Sequence, residues 1–462
     1  MTTTANKPLH SDNRLEADVE IERYADQGRC VAHLDGRVVF VRFALPGERV
    51  HILVDEPHNR KDRFWTGEVT EVLEASPDRV EPVWPLAGPL AWGGGVGGAD
   101  LVHVSLSGQL AWKKAVIEDQ MRRLGHVEVP VPVHRLPEDG AEGGLHWRTR
   151  LDLVADEEGH PSMRRRESHQ RVALTDMPIA SHRLLDIAAA EDLWNHRFDP
   201  NDHIRISVPE PRSFAREAKD GKDNEDNYAI VLNGKVISGR RNLSERVLLS
   251  NPASHSEDGS HTQFDSFDSF DYTVDAEGFW QVHRCASTVL AQAVVNAVMA
   301  SGVDQASTLW DLYSGSGLFT LPMATFFPQA QVLSIEGAPV AVKNAHKNIK
   351  QARLNKTITV LEGDVAETIR SLTAHGHAQL TKPDVILLDP PRAGAGRKVC
   401  QQMAESGAKT IVYVSCDVTN LARDTAYLTE AGYRISDIQA YDIYPMTHHV
   451  ETVVLMSRVE GK

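Results

Sequence analysis

At 462 residues, with a formal net charge of −15 and four cysteines, the chain is long enough for two or three domains, each burying its own core. The acidic balance excludes a general nucleic-acid sponge, because phosphate binding draws on clustered Lys and Arg, and no apolar run is long enough to span a bilayer or resembles the core of a signal peptide. Cys30, Cys285, Cys400 and Cys416 lie far apart without paired spacing, so neither a disulfide framework nor a thiolate zinc site is expected, and the cytoplasm is the expected compartment.

Residues 1–15 are polar and read as a disordered tail. Over 16–78, short β-type runs alternate with turns, and Asp35-Gly36 between two apolar runs marks a hairpin. This is the pattern of a small β-barrel. Residues 79–272 read as a mixed central domain, beginning with a connector rich in Pro, Trp and Gly. Helical spacing over 106–124 predicts an amphipathic helix, expected to pack on the C-terminal domain. Arg148 and Arg150, and the run Arg164, Arg165, Arg166, are candidates to meet phosphate, with a surface role without RNA equally open. Two acidic stretches, Glu217 to Asp226 and Glu257 to Glu277, read as surface loops, the second carrying the small repeat FDSFDSFDY.

From 273 to 462, β and α patterns alternate. Strands are expected at TLWDLY, QVLSIE, ITVLEG, DVILLD, TIVYVS and ETVVLMSR, which predicts an α/β domain built on a doubly wound parallel sheet. After the first strand, LYSGSGLF supplies a turn in which Gly315 and Gly317 let the backbone come close to a ligand. Thr320 stands where the third glycine of a dinucleotide fingerprint belongs, which disfavours NAD.

In such a sheet, ligands sit outside the carboxyl ends of the strands. Glu336, Asp364, Asp389 and Cys416 each stand at a strand end, and Glu451 precedes the last strand. Taken singly, an acid at a strand end is often a helix cap and a lone cysteine a small core residue. Together they mark one edge of one sheet. Lys343, Lys347 and Lys350 recur at helical spacing and form a basic face, either simply solvated or facing RNA.

These motifs, DLYSGSGLF, SIE, DPPR, SCD and PMTHHVE in that order, resemble the uracil-5 RNA methyltransferase family of S-adenosylmethionine (SAM) enzymes. The N-terminal G-x-C-V-A-H-L-D-G followed by F-x-x-x-A-L-P-G-E resembles a TRAM domain, a small oligonucleotide-fold barrel that accompanies RNA-modifying enzymes. The resemblance implies a Rossmann-like SAM methyltransferase domain behind an RNA-binding TRAM-like barrel. It implies Cys416 as nucleophile, Glu451 as general base and Asp389 as the residue that orients the base and lines the SAM pocket. It also implies SAM contacts at Gln281 and Tyr313, with Gly315, Gly317, Glu336 and Asp364 completing the cofactor site. His283 departs from the family's usual Asn, and Leu318 stands near a position where some members have Asn.

The chemistry explains these residue types. C5 of uracil is a poor nucleophile until a thiolate adds to C6, and after methyl transfer a carboxylate must take the C5 proton before the thiol leaves. A base stacked in folded RNA must first be turned out of its stack. TRAM-bearing members commonly hold an iron–sulfur cluster on four cysteines, but Trp84, Val96, Ala99 and Met177 occupy those places here, so no cluster is expected. The expected partner is RNA, ribosomal ahead of transfer RNA, with no membrane and no obligate protein partner. The alternatives are cytosine-5 methylation, which would favour a Pro-Cys motif over Ser415-Cys416, and an RNA-binding factor that keeps the fold without turnover.

Overall fold

The computed structural model describes residues 15–56, 61–166, 168–210, 226–250, 267–302, 308–375 and 382–459. The N-terminal tail up to residue 14 and nearly all of the first acidic stretch lie outside the described residues. The chain groups into two compact units, one containing Met1–Trp112, Arg164–His169 and Met446–His448, the other the remainder.

In the first unit, β-type runs form a six-stranded sheet in the order Glu16–Glu20, Arg49–Val54, Phe64–Glu74, Arg37–Arg42, Arg29–Leu34, Arg23–Tyr24. The expected hairpin is present, with Leu34 opposite Arg37 and the turn residues Asp35 and Gly36 at φ 51° and 75°. Those angles suit the right-handed twist of the flanking strands. The connector that follows is held by Arg166, whose guanidinium donates to the carbonyls of Ala87, Val96 and Gly88 at 2.7, 2.8 and 2.5 Å. Arg166 is therefore a backbone staple rather than a phosphate contact. Trp84, Val96 and Ala99 are buried, and so is Met177 in the second unit.

The second unit contains a six-stranded sheet, a two-stranded ribbon and an eight-stranded sheet. In the ribbon, Asn242–Ser250 pairs with Phe267–Asp275. From Phe267 on, the second acidic stretch is thus a strand where a surface loop was expected, and its residues 257–266 lie outside the described residues. Its period of two sends Phe270, Tyr272 and Val274 into the core while Asp271 faces out to Arg246 at 2.6 Å. Arg150 is likewise no phosphate contact, because its buried guanidinium pairs with Glu245 at 2.5 Å.

The main strands of the eight-stranded sheet are β1 (Thr308–Leu312), β2 (Gln331–Glu336), β3 (Ile358–Glu362), β4 (Val385–Leu388), β5 (Thr410–Ser415), β6 (Tyr433–Tyr441) and β7 (Glu451–Arg458). They lie in the order β3-β2-β1-β4-β5-β7-β6, with the short strand Val133–His134 beside β6. From β3 to β5 the pairing is parallel, and every residue of β1, β4 and β5 is buried, as helices on both faces require. β7 departs from an all-parallel sheet: it slots between β5 and β6, antiparallel to both. The sequence pattern alone missed β6, whose outward polar residues hide a strand that contributes Ile438 and Ala440 to the core. The helix Leu106–Arg123 places Ile117 and Met121 in that same core.

The loop from Asp442 to Val450 joins β6 to β7 and is tied down by a buried ion triad. Asp442 is fully buried and accepts from both Lys113 and Arg135, which draw its pKa below the usual carboxylate range against the opposing effect of burial. Asp442→Asn leaves Lys113 buried without its counter-charge and is expected to destabilise the protein by about 3–5 kcal/mol. A thermal melt checks this, and an unchanged Tm would contradict the importance of the triad.

Candidate active site

The glycine turn after β1 is the first part of the site. Tyr313, Gly315 and Gly317 have φ of 60°, 57° and 91°, so the chain reverses through the left-handed region. A Cβ at Gly315 would meet no atom within 4 Å, which leaves that face of the loop open. Glu336, at the end of β2, fixes the turn from beside it: Oε2 accepts the Gly315 N–H at 2.8 Å and Oε1 the Ala338 N–H at 2.6 Å. Asp311 is buried below, accepting the Thr320 hydroxyl at 2.5 Å, and burial holds its carboxyl at about 7. Asp364 is exposed and caps the helix Val365–His375, taking the Glu367 N–H at 3.0 Å.

Two further contacts clamp the turn. The Tyr272 hydroxyl donates to the Leu318 carbonyl at 2.9 Å, and its ring packs on Trp280 with centroids 5.1 Å apart, next to the buried Gln281. Asn348, on the helix Pro339–Gln351, donates to the carbonyls of Ser316 and Thr273 at 3.0 and 3.2 Å and accepts the Thr273 N–H at 2.7 Å. Sequence reasoning passed over Asn348. Its signal was a polar residue on the face that also carries Val342, Ala345 and Ile349.

The second part of the site gathers at the carboxyl ends of β4 and β5. Ser415 pairs with Thr452, so the antiparallel register continued by one residue sets Cys416 opposite Glu451. The Thr452 hydroxyl locks this register by donating to the Ser415 carbonyl at 3.0 Å. Asp417 then caps the next helix through the Asn420 N–H at 2.8 Å, and the Asn420 amide donates to the Arg392 carbonyl at 2.8 Å. Asp389 directly follows β4, its N–H bonded to the Leu312 carbonyl at 3.2 Å.

The electrostatics follow from this crowding. Burial pushes the Cys416 thiol up to about 12, with the Glu451 and Asp389 carboxyls adding to the rise and the Arg392 guanidinium opposing it. Burial also raises Asp389 to about 7, and burial and Asp389 together raise Glu451 well above the carboxylate range. The Tyr444 hydroxyl, 3.4 Å from Glu451 Oε2, and Arg392 both counter the rise at Glu451. Two carboxyls beside one thiol therefore hold protons near neutrality, an arrangement suited to covalent chemistry with internal proton transfer.

A family model described as tRNA (Uracil-5-)-methyltransferase matches residues 268–459, and one for the TRAM domain matches residues 13–62. The chain is 54% identical to an uncharacterized RNA methyltransferase of Bifidobacterium longum, over 98% of this chain and 99% of the relative. It is 31% identical to the 23S rRNA (uracil(1939)-C(5))-methyltransferase RlmD of Halomonas elongata, over 98% of this chain and 91% of that protein. The chain belongs to the uracil-5 RNA methyltransferase family. The methyltransferase also has the fold of the Pyrococcus abyssi tRNA (uracil-54, C5)-methyltransferase solved with S-adenosyl-L-homocysteine, at TM-score 0.59 and 20% identity, covering 95% of this chain and 99% of that one.

As expected of this family, the cofactor is SAM, and the residues present fit it. An open glycine turn lies beside a strand-end carboxylate, and the half-buried Tyr313 opens the turn directly after β1. Besides Asn348, the sequence reading of the methyltransferase missed Tyr444 as a partner of Glu451 and gave Arg392 no separate role. The phenol had no periodic or motif signal of its own.

Two outcomes are expected. Cys30, Cys285 and Cys400 are buried, so iodoacetamide reports mainly on Cys416. With its pKa near 12, labelling at pH 8 should be at least about tenfold slower than for a free thiol and should keep rising beyond pH 9. A plateau near pH 9 would contradict this. Asp311 keeps its proton to about 7 in the folded state, whereas the unfolded chain releases it near the usual carboxylate value. The folded state thus binds more protons in between, and the stability this group contributes, fully present at lower pH, is lost as pH rises through about 7. Asp311→Asn removes that loss, so its unfolding free energy, read by denaturant melts, should fall less than the wild type's between pH 5 and 8, a difference on the order of 1–3 kcal/mol.

Proposed function

We propose that this methyltransferase methylates C5 of a uridine in RNA, 23S ribosomal RNA ahead of transfer RNA, through a covalent adduct between Cys416 and C6 of the base. The reading rests on one observation: strand register sets the only partly accessible cysteine among the described residues opposite a buried carboxyl, with Asp389 and Arg392 beside it. The similarity to RlmD, whose name specifies a 23S rRNA uracil, supports the ribosomal substrate. A TRAM domain match supports RNA as the partner.

In this mechanism the Cys416 thiolate forms a bond to C6, and the C5–C6 π electrons move toward O4. Arg392 favours the thiolate, and Asp389, part-ionised near its pKa of about 7, takes the thiol proton, leaving Glu451 for the later step. SAM, when bound, supplies the electrophilic methyl group that C5 accepts. Glu451 then takes the C5 proton, the electron pair re-forms the C5–C6 double bond, and Cys416 leaves as thiolate. Asp389 orients the base at the junction of the two parts of the site. Gln281, Tyr313, Gly315, Gly317, Glu336 and Asp364 are proposed to hold the cofactor, Glu336 through its ribose hydroxyls.

The test is transfer of labelled methyl from SAM to total RNA lacking the modification, followed by digestion to nucleosides. Wild type should yield labelled 5-methyluridine, and Cys416→Ala should lose activity by at least about 10³-fold, as expected when a covalent nucleophile is removed. Mapping the label names the RNA. SAM binding without any labelled RNA would overturn the reading, and label in 5-methylcytidine would move it to cytosine.

A further inference from the structure

The loop from Asp442 to Val450 does more than connect strands, because it carries Tyr444 to the start of β7. Its backbone is anchored at that residue: Lys113, paired with the buried Asp442, also donates to the Tyr444 carbonyl at 3.0 Å. From the side, the Trp147 indole meets the Tyr444 ring edge-on, with centroids 6.1 Å apart. Trp147 in turn stacks on His283, at 5.7 Å and 19° between planes.

His283 is locked at both ring nitrogens. Nδ1 accepts the Cys285 N–H at 3.0 Å, so Nε2 carries the proton and donates to the buried Asp139 at 2.9 Å. A histidine in place of the usual Asn thus gives the indole a fixed platform. Backbone pairing of Arg148 with His283 holds the two segments together. The result is a Tyr444 side chain with its hydroxyl on Glu451 Oε2 at 3.4 Å, and among the described residues this is the one side-chain hydrogen bond that carboxyl receives.

We propose that Tyr444 is a positioning residue for Glu451, its hydroxyl aiming the carboxylate at C5 of the methylated base and stabilising it as a proton acceptor. The inference rests on the reading of Glu451 as the general base. The groups facing this pair define why the hydroxyl is needed. Burial and Asp389 oppose ionisation of Glu451, and only Tyr444 and Arg392 favour it. Facing the phenol are Glu451, Cys416, Asp389 and Arg148, together with the His449 ring at 6.1 Å. Burial and the acidic neighbours push the phenol well above its usual range, so it stays a neutral donor.

The step that depends on it is elimination. The C5–H bond breaks, its proton goes to Glu451, the electron pair re-forms the C5–C6 bond, and the Cys416–C6 bond breaks to release the thiolate. Without the hydroxyl, Glu451 keeps its proton to higher pH and the methylated adduct persists.

Tyr444→Phe tests this in the full-length enzyme, with methyl transfer to RNA followed from pH 6 to 9.5 and RNA–protein adduct read on denaturing gels. At pH 7 the variant should turn over about 10- to 100-fold more slowly, with KM for SAM unchanged, a covalent adduct accumulating, and activity recovering as pH rises. A productive wild type with the same pH profile and no excess adduct in Tyr444→Phe overturns the role of Tyr444 alone. Failure of wild type to methylate uridine overturns the underlying reading, and the role with it. 3-Fluorotyrosine at position 444, a stronger donor of nearly the same shape, should move the profile to lower pH. It decides the matter if the Phe variant does not fold, and an unmoved profile counts against the proposal.

Discussion

The site depends on one strand running the wrong way. In a parallel sheet, strand ends that face the ligand are carboxyl ends, so β1, β2, β4 and β5 deliver their chemistry through the residues that follow them. Glu451 begins its strand. It reaches the same edge only because β7 is antiparallel to β5, and the pairing of Ser415 with Thr452 then sets the carboxyl opposite Cys416. A hairpin from β6 achieves this: the chain passes β5, runs along the far side as β6 and returns between them. A parallel β7 would place Glu451 at the opposite edge, away from the thiol.

That geometry concentrates acid in a place water reaches poorly. Asp311, Asp389 and Glu451 all hold protons above the usual carboxylate range, burial being the largest cause in each case. An ionised cluster beside a thiolate would be strongly self-repelling in a low dielectric, so the resting site keeps its protons. The single guanidinium of Arg392 tips Cys416 and Glu451 the other way. Catalytic groups of this kind work because their environments are unlike, and here the unlike elements are an arginine and a phenol on one side and a buried aspartate on the other.

Much of this was legible in the sequence, and the physical reasons are specific. Central strands buried on both faces read as continuous apolar runs, so β1, β4 and β5 stand out, and the turn residues after them could be located without a structure. The edge-side β6 alternates and carries a bulge at Ile435 to Asp437, which blurs its pattern. FDSFDSFDY misled because its three aspartates read as a solvated loop, whereas alternation from Phe270 decides the fold of its described part: Phe270, Tyr272 and Val274 turn inward at every second position. Arg150 and Arg166 looked free to meet phosphate because their partners, Glu245 and a set of backbone carbonyls, lie some 70 to 95 residues away in the chain. A longer separation, 331 residues between Lys113 and Tyr444, hides the support of Tyr444, assembled from Lys113, Asp139, Trp147 and His283.

The central claim is the bond between Cys416 and C6 of a uridine, and trapping it is the most direct measurement. RNA carrying 5-fluorouridine, incubated with the enzyme and SAM, should accept the methyl group and then stall, since the carboxylate can remove a proton from C5 but not fluorine. Protease digestion and mass spectrometry should find a methylated fluorouridine nucleotide attached to the peptide containing Cys416. A stable adduct on another residue, or methyl transfer to RNA without any adduct on Cys416, would contradict the assignment.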